Sequence, residues 1–187
     1  MMTVYSPEPG YCYKIGDKDI GRIIRLCLCI DKLISKLYSI KKKKKRKLEL
    51  AIERIRLKLK HIVDEVHWKS INFLLNNFST ILLPTYNTSQ MVKKSTRKIG
   101  SKSVRMMLGW RFYEFKTRLL QKATERNVSV ISCTEEYTSK TCTNCHNIKY
   151  NLGANKTYKC TNCNITYDRD IGAARNIFLK NTCCKFE

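Results

Sequence analysis

"CTNCHNIKYNLGANKTYKCTNC", residues 142–163, contains the tetrapeptide Cys-Thr-Asn-Cys twice. A Cys-x-x-Cys turn lets two sulfur atoms reach one metal ion, and two such turns supply the four thiolates of a closed tetrahedral zinc site. The fourteen residues between the two turns are close to the interval found in zinc ribbons. The stretch therefore predicts one structural Zn²⁺ ion bound by Cys142, Cys145, Cys160 and Cys163.

Two other uses of these residues are less well supported by the spacing. His146 directly follows a cysteine and could replace it as a ligand, but four cysteines already make a complete set. Redox-active Cys-x-x-Cys motifs do not occur as a matched pair at ribbon spacing. A closed site performs no chemistry, so its expected role is to fix the backbone on either side of it.

Charge and composition narrow the possible partners. The chain has 187 residues, 43% of them hydrophobic, which allows one domain, or one domain and a small module. Lys and Arg number 37 against 15 acidic residues, a net charge of +22 that favours nucleic acid as partner over a merely solvated surface. There is no apolar run of membrane-spanning length and no signal-peptide pattern. We therefore expect an intracellular protein without a membrane or disulfide-linked partner.

The positive charge is concentrated in two segments, the run "KKKKKRK" at 41–47 and the polar loop at 86–103. Both are candidate phosphate contacts, and the lysine run could equally be a nuclear-import signal or a solvated helix end. The candidate nucleic-acid-binding residues are Lys41, Lys42, Lys43, Lys44, Lys45, Arg46, Lys93, Lys94, Arg97 and Lys98.

Hydrophobic periodicity predicts an α/β protein in which strands alternate with helices. Three- and four-residue apolar spacings indicate an antiparallel helix pair over about 19–78 and a third helix over about 103–126. Alternating or continuous apolar runs indicate a hairpin over 3–15 and strands at 79–84 and 128–133. The segment "DRDIGAARNIFLK" predicts an acidic cap followed by a closing helix.

Acidic residues stand on both sides of the cysteine pairs. Glu135 and Glu136 follow the predicted strand at 128–133, while Asp168 and Asp170 open the closing helix. Two-metal nucleases place carboxylates at such strand ends and helix starts, where they bind hard divalent cations. The alternatives are a helix N-cap for Asp168 or Asp170 and a surface charge for the glutamates. Residue types alone leave both interpretations open.

The segments "EEYTSKTCTNCHNIK", "YKCTNC" and "DRDIGAARNI" together resemble the C-terminal end of the TnpB (OrfB) family, whose members are encoded by insertion sequences. The segments "YSPEPGYCYKIG", "IDKLISKL", "DEVHWKSINFLL" and "ILLPTYNTSQMV" resemble the same family in the same order, so the resemblance covers nearly the whole chain. The "LLP" followed by a loop through Met91 is more similar to the Fanzor branch of eukaryotes and giant viruses. This resemblance implies the nucleus or a viral factory as the location.

The resemblance implies a RuvC-type nuclease domain of RNase H-like fold with an inserted four-cysteine zinc ribbon. Members of the family are RNA-guided DNA endonucleases, so it implies DNA and a guide RNA as partners. Their site uses three carboxylates and Mg²⁺. The resemblance places the third carboxylate, in the Asp-x-x-Ala-Ala segment, at Asp170. Pro84 stands where many bacterial members have the second carboxylate and cannot bind a metal. In Fanzor-like members the glutamate comes instead from the strand before the ribbon, which implies Glu135, with Glu136 as second choice.

The first carboxylate of the family lies on a strand just before the hairpin, whereas this sequence starts at "MMTVYSPEPG". We therefore expect an N-terminally truncated member whose RNase H-like domain is incomplete. The expected divisions are a partial nuclease domain at 1–141, the zinc ribbon at 142–163 and a last nuclease segment at 164–187. The predicted function is a remnant of an RNA-guided endonuclease that binds zinc and nucleic acid and is inactive alone. The alternative is a non-enzymatic nucleic-acid-binding zinc-ribbon protein.

Overall fold

The computed structural model describes residues 2–8, 10–95, 97, 99–153 and 155–183, with the backbone alone at 42–44, 102 and 183. The chain divides into two compact units. The first is formed by residues 16–77 and 87–122, and the second by residues 2–15, 78–86 and the chain from 123 onward.

The first unit is helical. Its elements are α1 (Asp17–Ser39), α2 (Lys42–Asn77), α3 (Thr88–Val92), α4 (Ser101–Gly109) and most of α5 (Phe112–Glu125). Helices α1 and α2 pack against each other and are joined by residues 40–41 alone, so the predicted antiparallel pair is confirmed. The lysine run begins in this connection and continues into the first turns of α2.

One buried apolar cluster of the helical unit lies where α1 meets α2. Ile23, Ile62 and Val63 are buried together, and Trp110 packs against them. The predicted apolar stripe of α1 is only partly buried, because Ile24 remains 39% exposed. A periodicity of three and four residues predicts which residues share a face of the helix. The area over which α1 and α2 touch decides how many of those residues are buried.

The predicted third helix is wrong in one respect, since it is two helices. It is interrupted at Trp110 and Arg111, where Arg111 adopts a positive φ of 46°. The guanidinium of Arg111 donates to Asp64 on α2 at 2.5 Å and to Glu114 at 2.7 Å. The side chain of Arg111 is thus bound to α2 and to α5 while its backbone has a conformation that a non-glycine residue rarely adopts.

The described residues of the second unit form three two-stranded sheets, one complete helix and the end of α5. Its elements are β1 (Met2–Tyr5), β2 (Cys12–Ile15), β3 (Thr80–Pro84), β4 (Ser129–Cys133), β5 (Thr157–Lys159), β6 (Thr166–Asp168) and α6 (Arg169–Cys183). Strands β1–β2 and β5–β6 are antiparallel pairs, whereas β3 and β4 are parallel, with Ile81 opposite Val130. The predicted hairpin, both single strands and the closing helix are confirmed, and the elements agree with the α/β class.

Helix α6 organises the second unit because it packs against both β1 and β3. The ring of Phe178 lies 5.8 Å from that of Tyr5 on β1. On β3, Ile81 and Leu83 are buried while the residues between and beside them are more exposed, as the two-residue period of a strand requires. None of the described helices combines the length and apolar character needed to cross a membrane.

Candidate metal centre and neighbouring acidic residues

The four cysteines of the two Cys-x-x-Cys turns come together at one point. The sulfur of Cys142 lies 3.6 Å from that of Cys163, and the sulfur of Cys145 lies 3.5 Å from that of Cys160. All four sulfurs lie within 4.8 Å of one another. Zn–S bonds of about 2.3 Å in a tetrahedron place the sulfurs about 3.8 Å apart. The four cysteines can therefore hold a metal ion such as zinc.

Backbone N–H groups in the turns point at the sulfurs. Cys160 Sγ accepts hydrogen bonds from the N–H groups of Asn162 (3.3 Å) and Cys163 (3.4 Å). Hydrogen bonding from the Asn147 backbone lowers the pKa of Cys145 to about 6, while burial raises the pKa of Cys142 to about 11. The turns thus offset part of the negative charge that metal-binding thiolates carry.

A pair of stacked tyrosines supports this centre. The rings of Tyr158 and Tyr167 are 5.0 Å apart and nearly parallel, and Tyr158 is 1% exposed. Burial raises the pKa of Tyr158 to about 12, so its hydroxyl stays protonated and donates to the carbonyl of Lys140 at 3.1 Å. The hydroxyl of Tyr167 accepts from the N–H of Thr143 at 3.0 Å and so contacts the first cysteine turn directly. His146 does not belong to the described ligand group.

Asp168 is the N-cap of α6, which agrees with the structural alternative for this residue. Its Oδ1 accepts hydrogen bonds from the N–H groups of Asp170 at 2.9 Å and Ile171 at 3.3 Å. Its Oδ2 accepts from Lys14 on β2 at 2.6 Å, and this bond is the main cause that lowers the pKa of Asp168. Both oxygens of Asp168 are therefore occupied by contacts that hold the fold together.

Asp170 lies in the first turn of α6 and makes a weaker contact. Its Oδ1 lies 3.6 Å from Nε of the neighbouring Arg169, and its side chain is 35% exposed. This carboxylate stands at the positive end of the helix dipole and remains accessible from solvent. It is better placed than Asp168 to bind a cation.

Glu135 and Glu136 follow β4 and differ in environment. Glu135 is half-buried and Glu136 is exposed. Burial raises the pKa of Glu135, and no charged neighbour among the described residues contributes to that shift. Its carbonyl accepts hydrogen bonds from the N–H (3.2 Å) and the hydroxyl (2.7 Å) of Thr138. A half-buried carboxylate whose pKa is raised by burial is a candidate metal-binding or proton-transfer group.

The backbone around Glu135 lies against the C-terminal half of α6. Lys180 donates to the Glu136 carbonyl at 3.3 Å, and Asn181 approaches the Thr134 carbonyl at 3.5 Å. Lys180 follows Asp170 by ten residues, or about 15 Å along a helix axis. Helix α6 thus carries Asp170 and also contacts the segment of Glu135.

Within the described chain, the cysteines are the only group of three or more ligand side chains. The catalytic assignments therefore stay predictions.

Comparison with known proteins gives one consistent result. Residues 112–177 match the family described as Cas12f1-like, TNB domain. A protein named "Putative transposase" from Paramecium bursaria Chlorella virus 1 is 39% identical over 81% of this chain and 33% of its own length. A TnpB-like protein of Acanthamoeba polyphaga mimivirus is 30% identical over 79% of this chain and 28% of its own length. A structure described as a Cas12f1–sgRNA–target DNA complex aligns with a TM-score of 0.57 at 23% identity, over 89% of this chain and 43% of that one.

The chain is a TnpB-type protein. It spans about a third of the length of these viral relatives. The likeness to the Cas12f1 structure establishes a shared fold, since its sequence identity is low. The predicted family resemblance is confirmed.

The predicted basic residues of this TnpB-type chain belong to its helical unit. Lys41, Lys45 and Arg46 are exposed at the start of α2, and Lys93 and Lys94 are exposed just after α3. Arg97 is half-buried and donates to the hydroxyl of Ser101 at 3.3 Å. The side chains of Lys42, Lys43 and Lys44, and the whole of Lys98, lie outside the described residues.

Sequence reasoning missed a polar network inside the helical unit of the TnpB-type chain. Arg118 donates to Asp64 at 2.6 Å and to Nδ1 of His67 at 3.2 Å, and Arg111 donates to the same Asp64 oxygen. The other nitrogen of His67, Nε2, donates to the Trp110 carbonyl at 2.9 Å. Burial lowers the pKa of His67, which is 3% exposed. The i,i+3 spacing of Asp64 and His67 on one face of α2 was the available signal.

Proposed function

We propose that this chain is the nuclease part of an RNA-guided DNA endonuclease of TnpB type. The observation that carries the proposal is the position of the four-cysteine centre. It lies in the chain between a half-buried glutamate that follows a strand, Glu135, and an accessible aspartate in the first turn of α6, Asp170. In this role the cysteines bind a structural zinc ion, because four thiolates leave no open coordination position.

The arrangement of the sheets supports an RNase H-like fold of RuvC type. Strands β1–β2 and β3–β4 form separate sheets in one unit, and α6 packs against β1 and β3. An additional strand paired with both β1 and β3 would join them into one sheet beside α6. We propose that such a strand carries a third carboxylate.

The catalytic roles follow from the chemistry of hard cations. Asp170 and Glu135, with Glu136 as second choice, would hold Mg²⁺ through carboxylate oxygens, the ligands that Mg²⁺ prefers. The chemistry supplied by bound Mg²⁺ is stabilisation of the attacking and leaving oxygens of a phosphodiester. Glu135 is half-buried, so its carboxylate is less hydrated than that of an exposed glutamate.

With two of three carboxylates, this chain alone cleaves DNA at a rate near background. Two side chains can bind one Mg²⁺ weakly, since the ion keeps its remaining waters, but they do not position a second ion or the attacking water. DNA and a guide RNA are the proposed partners. A net charge of +22 supports nucleic-acid binding, and the Cas12f1 structure contains both sgRNA and target DNA.

The test is to fuse an Asp-bearing first strand from a longer relative to the N-terminus and to assay cleavage with Mg²⁺ and guide RNA. We expect the fusion to cleave and the unfused chain not to cleave. Asp170→Ala and Glu135→Ala should each abolish cleavage in the fusion, whereas Asp168→Asn, which retains the capping oxygen, should keep most of it. Cleavage that survives Asp170→Ala would place the site elsewhere.

One observation favours a second function, a non-enzymatic nucleic-acid-binding zinc protein. Among the described residues, the acidic side chains form no group of three ligands, whereas the four cysteines do. A fusion that binds zinc and nucleic acid at wild-type affinity but never cleaves would support this function over the nuclease.

A further inference from the structure

Asn176 is a buried polar residue in the middle of α6. It is 6% exposed, and its Nδ2 donates to two carbonyls, those of Thr138 at 2.9 Å and Thr141 at 2.8 Å. Both partners are acceptors, so the amide nitrogen must face them and both of its hydrogens are used. One side chain of α6 therefore binds the backbone of the segment 134–141 at two points.

The two carbonyls lie at informative positions along that segment. Thr138 binds the Glu135 carbonyl through its N–H and its hydroxyl, so a bond from Asn176 to Thr138 is one step from Glu135. Thr141 directly precedes Cys142, the first ligand of the four-cysteine centre. Asn176 thus holds the segment where it leaves the glutamate and where it enters the metal centre.

We propose that Asn176 is a positioning residue that keeps Glu135 and the first cysteine turn in a fixed relation to α6, the helix that carries Asp170. The inference rests on the proposed function, because it gives Asn176 a role in the acidic site. Its physical basis is a pair of hydrogen bonds from one amide to the carbonyls of Thr138 and Thr141. No other described side chain of α6 binds both of these carbonyls. Without the amide, the buried Thr138 carbonyl loses its donor and the Thr141 carbonyl keeps only the hydroxyl of Tyr167 at 3.3 Å. The segment therefore opens more readily.

Three variants isolate this role. Asn176→Asp keeps the shape but places an oxygen against two carbonyl oxygens. Thr138→Val removes only the hydroxyl bond to Glu135, and it tests the same linkage if the first variant does not fold. Asn181→Asp is the matched control on the same helix, because Asn181 bonds mainly within the helix, to Ile177 at 2.8 Å, and reaches the Thr134 carbonyl only at 3.5 Å.

The first measurement is backbone hydrogen exchange in the full chain, with the absorption of Co²⁺ bound to the cysteines as a second reading. We expect amides of residues 136–141 to exchange about tenfold faster or more in Asn176→Asp, several-fold faster in Thr138→Val, and near the wild-type rate in Asn181→Asp. The Co²⁺–thiolate absorption should be unchanged in all of them. Unchanged exchange in Asn176→Asp and Thr138→Val would overturn the proposal, and so would loss of the Co²⁺ signal, because that would indicate general support of the ribbon.

The second measurement separates this inference from the proposed function. Binding of Mn²⁺, followed by its electron paramagnetic resonance signal in zinc-loaded protein, should be about tenfold weaker in Asn176→Asp than in the wild type, as for residues that orient metal ligands. Equal Mn²⁺ binding by both proteins would overturn the positioning role alone. No Mn²⁺ binding by the wild type would contradict the acidic site itself, and the positioning role with it.

Discussion

At the scale of single residues, buried polar side chains carry much of the specificity of this protein. His67 uses both ring nitrogens to bind Trp110 and Arg118, and the half-buried Asp168 binds Lys14 through Oδ2, so both side chains join parts of the chain that are far apart in sequence. No described buried side-chain polar atom lacks a hydrogen-bond partner. Because an unpaired buried polar group costs about 1–3 kcal/mol, such residues have sharply defined substitution effects.

The first prediction concerns His67 and pH. Burial lowers the pKa of His67, so the unfolded chain takes up its proton at a higher pH than the folded chain. The free energy of unfolding should therefore fall as pH drops below about 6.5, by up to about 1.4 kcal/mol per pH unit. When the pH is lowered from 7.5 to 5.5, the Tm of His67→Gln should fall by less than the Tm of the wild type. His61→Gln, at an exposed position of the same helix, should respond as the wild type does. If the Tm of His67→Gln fell by as much as that of the wild type, protonation of His67 would not be the cause of the pH dependence.

The second prediction separates Asp168 from Asp170. Asp168→Ala should lower the free energy of unfolding by about 1–2 kcal/mol, because it removes a helix N-cap and the partner of Lys14. Asp168→Asn should lose less than about 1 kcal/mol, since the amide oxygen still caps the helix. Asp170→Ala should change stability by less than about 0.5 kcal/mol. Chemical denaturation measures all three, and a larger loss for Asp170→Ala than for Asp168→Ala would contradict the assignment of the cap.

At the scale of elements, α6 connects the parts of the second unit. Its first turn is capped by Asp168 of β6, which also binds Lys14 of β2. Its middle binds the segment 134–141, and its later turns contact β1. Strand β6 touches the same helix through the ring of Tyr167. An added Cβ at Gly172 would lie 2.2 Å from Cε2 of that ring, so only glycine allows this contact.

The third prediction is a reversal of the usual glycine effect. Replacing glycine inside a helix with alanine normally stabilises by about 1 kcal/mol, and Gly21→Ala in α1 should do so because its nearest non-bonded atom is at 3.6 Å. Gly172→Ala should instead destabilise by about 1–3 kcal/mol, since the Tyr167 ring must move. Denaturant midpoints of the two variants provide the comparison. Stabilisation by Gly172→Ala would mean that Tyr167 does not pack there in solution.

The fourth prediction concerns the metal. Purified protein should contain about one zinc per chain, and Cys160→Ser should lose it because three thiolates do not complete the closed site. Elemental analysis measures the content. Cys27→Ser is the control, since Cys27 packs against the buried cluster of α1 and α2 and is not one of the four grouped cysteines. Full zinc content in Cys160→Ser would exclude the assigned ligands.

At the scale of the whole molecule, the net charge of +22 is the dominant property. Charges of one sign repel each other in the folded chain, and the repulsion is relieved when a polyanion binds and its counterions are released. Affinity for nucleic acid is therefore expected to depend on salt far more than on sequence.

The fifth prediction follows from that charge. Binding to single- or double-stranded nucleic acid should weaken steeply with salt, and neutralising Lys41, Lys45 and Arg46 together should reduce the slope of log affinity against log salt by about 2–3. Lys69→Gln should have little effect, because Lys69 is already paired with Glu65 at 2.7 Å. Titration by fluorescence anisotropy measures both. Absence of binding at low salt would contradict the electrostatic argument.

Local patterns in the sequence were sufficient for most elements and for the metal ligands. The helix pair follows from apolar spacings of three and four residues, the hairpin, β3 and β4 from alternating or continuous apolar runs, and α6 from an acidic cap. All of these signals depend only on neighbouring residues. The cysteine spacing likewise predicted a cluster that the fold forms, because each turn brings its two sulfurs together locally. The residues of that cluster are a site that sequence alone could identify.

The sequence by itself determined the element types, the four-cysteine group, the excess of positive charge and the relation to TnpB proteins. Only the tertiary structure decided the interruption between α4 and α5 at Arg111, the capping role of Asp168 and the hydrogen bonds from Asn176 to the segment 134–141. The physical reason is contact range. Arg111 meets Asp64, Lys14 meets Asp168, and Asn176 meets Thr138 across 47, 154 and 38 residues of chain, and no local period reports which distant side chains will satisfy one another.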